Sequence, residues 1–244
     1  MAYENIAVKE DGDVAIVTLN RPEQRNALSR ALRNEFKAFL KNDLDRFNAV
    51  VLTGAGPAFC AGMDLKEPVG FGEGQEQWGF FKELFNTDVV FIAAINGPAR
   101  GAGLTFVSAC DLAIADPSAN FGMPQITHGI YGGVASTMLS LSLPRKVVGE
   151  MVLTGLPLSV ERAKEIGLIN AVSEPGKSLD VALALAKRIA GFKPEVLSVA
   201  KRLLHTLPFD DAKREASLKE VRLLLLQAIA PDDRRIETQY SKSD

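Results

Sequence analysis

Four short apolar runs, set among helical patterns and glycine-bearing turns, restrict this chain more than any other feature. Asp13 to Leu19, Ala49 to Thr53, Phe91 to Ile95 and Asp111 to Ala115 are rich in β-branched or small apolar residues. Each has strand length and composition. Ile6 to Val8 pairs with the first run across Asp11-Gly12, a hairpin signal. Between the runs the period changes. From Leu28 the apolar positions are 28, 32, 36, 39 and 40, one helix face with Ser29 as its cap. Trp78, Phe81, Leu84 and Phe85 line up on a second helix, and Leu104 to Cys110 reads as a third. Strands alternating with helices predict an α/β fold with crossover connections.

After about residue 132 strand signals become rare. Helices are predicted over 145–153, 159–166, 178–190, 194–206 and 211–230, with Gly155 and Gly167 at helix ends. The layout is an α/β core, residues 1–185, followed by a helical region, 186–244. No linker of low complexity separates them.

A net charge of −2 lacks the basic face that nucleic acid demands, so an anionic ligand must be held by a local cation cluster. The longest apolar runs, Val89 to Ile95 and Leu223 to Leu226, are too short to span a bilayer. The acidic N-terminus carries no secretory pattern, and Cys60 and Cys110 are too few for a disulfide framework, so a reducing cytoplasm is expected. With His128 and His205 the only histidines, neither a dedicated metal site nor a Ser-His-Asp triad has much to draw on. Pro175 to Ser178 ends like a phosphate loop, but Ala171 stands where its first glycine belongs. Gly70 and Gly72 lack the third glycine of a dinucleotide fingerprint.

Two segments carry more weight. Residues 54–75 hold six glycines and two prolines, and within them lies Gly56 to Lys66, just after a strand. Gly101-Ala102-Gly103 sits between a strand and a helix start. Small residues admit a ligand close to the backbone, and a helix N-terminus offers unpaired N–H groups. If the two loops converge, two donors can meet one oxygen, which is how an oxyanion or enolate is stabilised. Taken singly, each set of glycines serves equally as tight turns.

Taken together they resemble the enoyl-CoA hydratase/isomerase (crotonase) superfamily, in order along nearly all 244 residues. Leu19 to Pro22 followed by Asn26-Ala27-Leu28 is similar to the family's N-terminal signature. Phe59 to Leu65 matches its first oxyanion-loop pattern; Ile95 to Gly103, then Ala109 to Asp116, matches the second. Phe121-Gly122-Met123-Pro124, the Gly155 to Gly167 stretch and Ala230 to Arg235 follow. The resemblance implies a spiral of ββα units with C-terminal helices that assemble a trimer, sometimes doubled to a hexamer. It implies an acyl-CoA thioester as substrate, coenzyme A entering as part of it, and no tightly bound cofactor. The oxyanion N–H donors fall on Met63 and Ala102, beside Gly101. Ala27 and the backbone from Ala61 and Gly62 through Asp64 and Leu65 would touch the CoA, and Arg25 or Lys66 its phosphates, unless those two cations are only solvated.

The chain departs from the hydratases at both proton-transfer positions. Thr105 and Gln125 stand where the family's glutamates belong, and Gly133 at the place of an alternative acid. None of these titrates, and losing a proton-transfer group typically costs about 10²–10⁴-fold in rate. His128 or Tyr131, in the segment that walls the acyl pocket of relatives, can stand in; His205 is expected at a surface or interface. Three readings stay open: a hydratase or isomerase with an unusual proton donor, a thioester decarboxylase or hydrolase, and a non-catalytic acyl-CoA-binding protein. Relatives also carry an aromatic, basic stretch over the adenine. With only Tyr240 and Lys242 near that place, CoA affinity is expected to fall, or a neighbouring subunit to supply the contact.

Overall fold

The computed structural model describes residues 3–67, 73–129 and 131–205. Its main sheet has six strands. The hairpin β1 (Ile6–Asp11) and β2 (Val14–Leu19) is antiparallel, turning at Gly12 with φ +62°. From β2 onward every pairing is parallel, through β3 (Ala49–Gly54), β4 (Val90–Ile95), β6 (Leu112–Ala115) and β9 (Ala171–Val172). β3 and β4 are buried at every position, as parallel strands covered on both faces must be. That is why their sequences are continuous apolar runs.

Helices cross between the strands. α1 (Arg30–Asn42) joins β2 to β3, and its first turn is capped by Ser29, whose hydroxyl accepts from the Leu32 N–H at 3.1 Å. α2 (Glu73–Phe85) joins β3 to β4, and α3 (Ala102–Ala109) lies between β4 and β6. Phe36 of α1, Phe80 and Phe81 of α2 and Phe106 of α3 form one aromatic knot with centroids 4.9–5.8 Å apart. The expected face of α2 is rotated by one residue. The inward stripe is Gln77, Phe80, Phe81 and Leu84, an i, i+3, i+4, i+7 set, whereas Trp78 is 38% exposed. α7 (Ser178–Ala190) lies over β3, β4 and β6 and presents Ala182 and Ala186, both fully buried.

A second sheet, β5 (Ala99–Arg100), β7 (Asn120–Gly122) and β8 (Leu158–Ser159), stands apart from the first. These strands and β9 run for only two or three residues, too short for a periodic signal. α4 (Gly133–Leu139), likewise not predicted, follows a 3₁₀ turn over Pro124–His128. α5 (Arg145–Thr154) and α6 (Val160–Glu165) follow where helices are expected, and Gly155 ends α5 with φ +67°. The chain divides into two units after Gly191, just past the end of α7. Of the second unit the structure describes α8 (Pro194–His205), which opens on a proline where no N–H is needed. The helix expected over 211–230, with Tyr240 and Lys242, lies outside the described residues.

Candidate functional site

The first loop leaves β3 at Gly54 and is tied to the N-terminal turn by Asn26. This side chain is fully buried, and both Arg25 and Asn26 take left-handed backbone angles, φ 49° and 57°. Its Oδ1 accepts from the Arg21 N–H at 2.9 Å, and its Nδ2 donates to the Ala55 and Ala58 carbonyls at 2.8 Å each. Asn is among the few residues that tolerate that backbone, so both angle and hydrogen bonds select it. Next, Ala61 N donates to Arg25 O at 2.9 Å, Leu28 N to Gly62 O at 2.7 Å and Asp64 N to Leu28 O at 3.1 Å. Leu28 and Met63 thus form a parallel bridge. In such a ladder the residue between the two bonded groups turns its own N–H to the opposite edge. Among the described residues the Met63 N–H has no acceptor.

The second loop is laced to the first. Cys60 and Ala99 form another parallel bridge, with Arg100 N donating to Cys60 O at 2.9 Å. A Cβ on Gly103 would stand 2.3 Å from that Cys60 oxygen, so only glycine lets helix α3 start this close. Gly101, with φ +47°, packs a Cβ's width from Gly62: a methyl there would touch the Gly62 Cα at 3.8 Å and the Gln125 Nε2 at 2.7 Å. α3 then begins at Ala102, whose N–H, in the unpaired first turn, has no acceptor among the described residues. The two expected donors therefore lie on loops held against each other.

The remaining candidates divide. Thr105 is buried, and its hydroxyl donates to the Gly101 carbonyl at 3.3 Å. The Gln125 carboxamide lies between Gly101 and Gly132, where a Cβ would meet its Nε2 at 2.7 and 2.8 Å. Its Oε1 is buried and meets no donor among the described residues. His128 is exposed at the end of the 3₁₀ turn. Tyr131 is 68% exposed, its hydroxyl 2.9 Å from Ser136 Oγ. Gly133 opens α4, and His205 ends α8. Ala61, Leu65 and Lys66 are exposed along the first loop and Arg25 in the N-terminal turn, while Ala27 is buried. An open cleft of about 300 Å³ is lined by Tyr131, Ser136, Ser140, Arg145, Val148 and Leu153.

Asp64 faces a partner inside the chain. Arg21 Nη2 lies 2.8 Å from its Oδ2, and the Lys66 N–H donates to Oδ1 at 3.1 Å. The Arg21 hydrogen bond above all holds its carboxyl below the usual range. Sequence reasoning placed Arg21 and Asn26 in a signature without a role; nothing in one sequence tells which carbonyls a buried amide will bind. Arg100 was also missed. Its guanidinium donates to the Asn120 carbonyl at 2.9 Å and to that residue's side-chain oxygen, and burial lowers its pKa.

A parallel sheet with a small second sheet, and two glycine loops presenting backbone donors beside a helix start, is the architecture of a class known from its relatives. The Enoyl-CoA hydratase/isomerase family profile matches residues 9–238. The 2,3-dehydroadipyl-CoA hydratase of Escherichia coli is 32% identical over 94% of this chain and 92% of its own. The crystal structure of enoyl-CoA hydratase from Bacillus anthracis superposes with a TM-score of 0.81 at 31% identity, covering 98% and 96% of the two chains. A carnitinyl-CoA dehydratase from Mycobacterium avium gives 0.73 at 35% identity, covering 91% and 92%. The chain belongs to the enoyl-CoA hydratase/isomerase family, and it has the crotonase fold.

Proposed function

We propose that this protein binds an acyl-CoA thioester with the carbonyl oxygen between the Met63 and Ala102 N–H groups, and stabilises the enolate formed there. The observation that carries the reading is the pair of N–H groups, without an acceptor among the described residues, on loops held together at Gly62 and Gly101. Charge growing on the thioester oxygen strengthens both hydrogen bonds, so the transition state is held more tightly than the ground state. Coenzyme A comes with the substrate, along the exposed loop that carries Leu65 and Lys66 and past Arg25 of the N-terminal turn. Assembly as a trimer or hexamer is part of the same reading.

Proton handling then follows an unusual route. Thr105 spends its hydroxyl on Gly101, and Gln125 can orient a donor but not hold a proton between steps. Among the stand-ins, Tyr131 is engaged with Ser136 and His128 stands in solvent. These placements favour a second reading within the family, decarboxylation of a malonyl-type thioester. There the C–C bond to the carboxylate breaks, CO₂ leaves, and the electron pair passes into the thioester carbonyl. Forming the enolate needs no general base, and a proton taken from solvent at Cα completes the thioester product.

One panel separates the readings. Free CoA, enoyl-CoA, malonyl-type and aryl thioesters are titrated against the purified protein, and binding and turnover are followed together. Turnover of the malonyl-type ester that survives His128→Ala supports decarboxylation; enoyl-CoA hydration abolished by His128→Ala supports an unusual hydratase. Binding without turnover makes the protein a carrier, and failure to bind any thioester sinks the proposal. In the same assay Thr105→Glu with Gln125→Glu is expected to raise enoyl-CoA hydration by about 10²-fold or more.

A further inference from the structure

We infer that Arg21 and Asp64 form the clamp that aims the Met63 N–H, which makes both of them positioning residues for carbonyl binding. The inference rests on the thioester reading above. One guanidinium holds two points: Nη2 meets Asp64 Oδ2 at 2.8 Å, and Nη1 donates to the Ala27 carbonyl at 2.6 Å. Ala27 immediately precedes Leu28, and Asp64 immediately follows Met63. The clamp therefore spans the Leu28–Met63 bridge from outside, next to the backbone bonds that define it.

An isolated bridge with two hydrogen bonds is a weak fastening for a loop that must hold a donor within a fraction of an ångström. The clamp supplies the missing stiffness. Its charges are poorly hydrated, with side-chain exposures of 17% for Arg21 and 9% for Asp64, so salt and water screen them little. The planar fork of arginine fixes direction as well as distance. Its own base is firm: the Arg21 N–H donates to Asn26 Oδ1, and the Arg21 carbonyl accepts from Gln24 and Asn26 at 3.0 and 2.9 Å. The other Asp64 oxygen accepts the Lys66 N–H, which sets the turn into Leu65 and Lys66. Two motifs that lie some forty residues apart in sequence, the Asn20-Arg21-Pro22 signature and the Met63 loop, are in this way one device.

The test reads the carbonyl itself. An acyl-CoA carrying ¹³C at the thioester carbonyl is bound to the wild type, and isotope-edited infrared spectra report the downward displacement of the carbonyl band by the two N–H donors. Asp64→Asn keeps an oxygen for the Lys66 N–H and removes the charge that Arg21 grips. It is expected to shrink the band displacement and weaken thioester binding about tenfold, a larger loss than that of free CoA affinity. Arg21→Lys keeps the charge and loses the fork, so it too shrinks the displacement; it serves alone should Asp64→Asn fail to fold. The pair Arg21→Gln with Asp64→Asn is expected to be no worse than either single change. A wild-type displacement retained by the folded variants overturns the clamp, as does an equal loss of thioester and free CoA affinity. No displacement in the wild type overturns the thioester reading itself, and the clamp with it.

Discussion

Gly103 sets the distance between the two loops, since its Cα faces the Cys60 carbonyl with no space for a methyl. Gly103→Ala forces backbone against backbone, and overpacking of that kind costs about 1–3 kcal/mol. The expected outcome is a lower thermal midpoint together with loss of thioester binding, read by calorimetry and titration on the same sample. Cys60, on the other side of that contact, is fully buried, and desolvation pushes its thiol up to about 12. At about pH 8 roughly one thiol in ten thousand is ionised, and thiolate is the reactive form. Iodoacetamide should therefore leave Cys60 unmodified in the native protein and label it after denaturation, as peptide mapping would show. Native labelling at Cys60 would mean that the loops open.

At the scale of elements, the strands that were legible are those with both faces covered. β3 and β4 must be apolar at every position, so their runs stand out of the sequence, and the Ser29 cap announces α1 in the same way. What was not legible depends on partners distant in the chain. β8 is two residues long and exists because Asn120 and Phe121 of β7 lie beside it. The stripe of α2 was misread by one residue because Trp78 resembles core by composition while Phe80 is the residue that meets Phe36 and Phe106. The site divides along the same line. Glycine loops and signature residues were visible as motifs, whereas the hydrogen bonds of Asn26, Arg21 and Arg100 needed coordinates. α7 offers a test of the covering layer. Its Ala186 is fully buried in the helix that covers the sheet, so Ala186→Leu inserts volume where none is free. A loss of about 1–3 kcal/mol in denaturant unfolding is expected, with the slope unchanged.

For the molecule as a whole, acid is the revealing stress. Asp116 follows β6 and accepts from the Ser118 hydroxyl and N–H and from the Gly176 N–H beyond β9, which lowers its pKa. A carboxyl whose folded pKa lies below its unfolded value of about 3.9 stabilises the fold above that pH. The contribution drains away as pH falls through the folded value. Asp116→Asn should accordingly lower the thermal midpoint at neutral pH, with the gap to wild type closing as the pH is taken below about 4. A gap independent of pH would assign the loss to packing instead. The two N–H donors at Met63 and Ala102 raise a different matter, that of inheritance. Being main-chain atoms, they belong to every residue except proline, so substitution at positions 63 and 102 rarely deletes them. The side chains at 105 and 125 have no such protection, since one substitution replaces each outright. Under the thioester-binding proposal, a lineage built this way keeps its grip on a carbonyl while the side chains beside it are free to change.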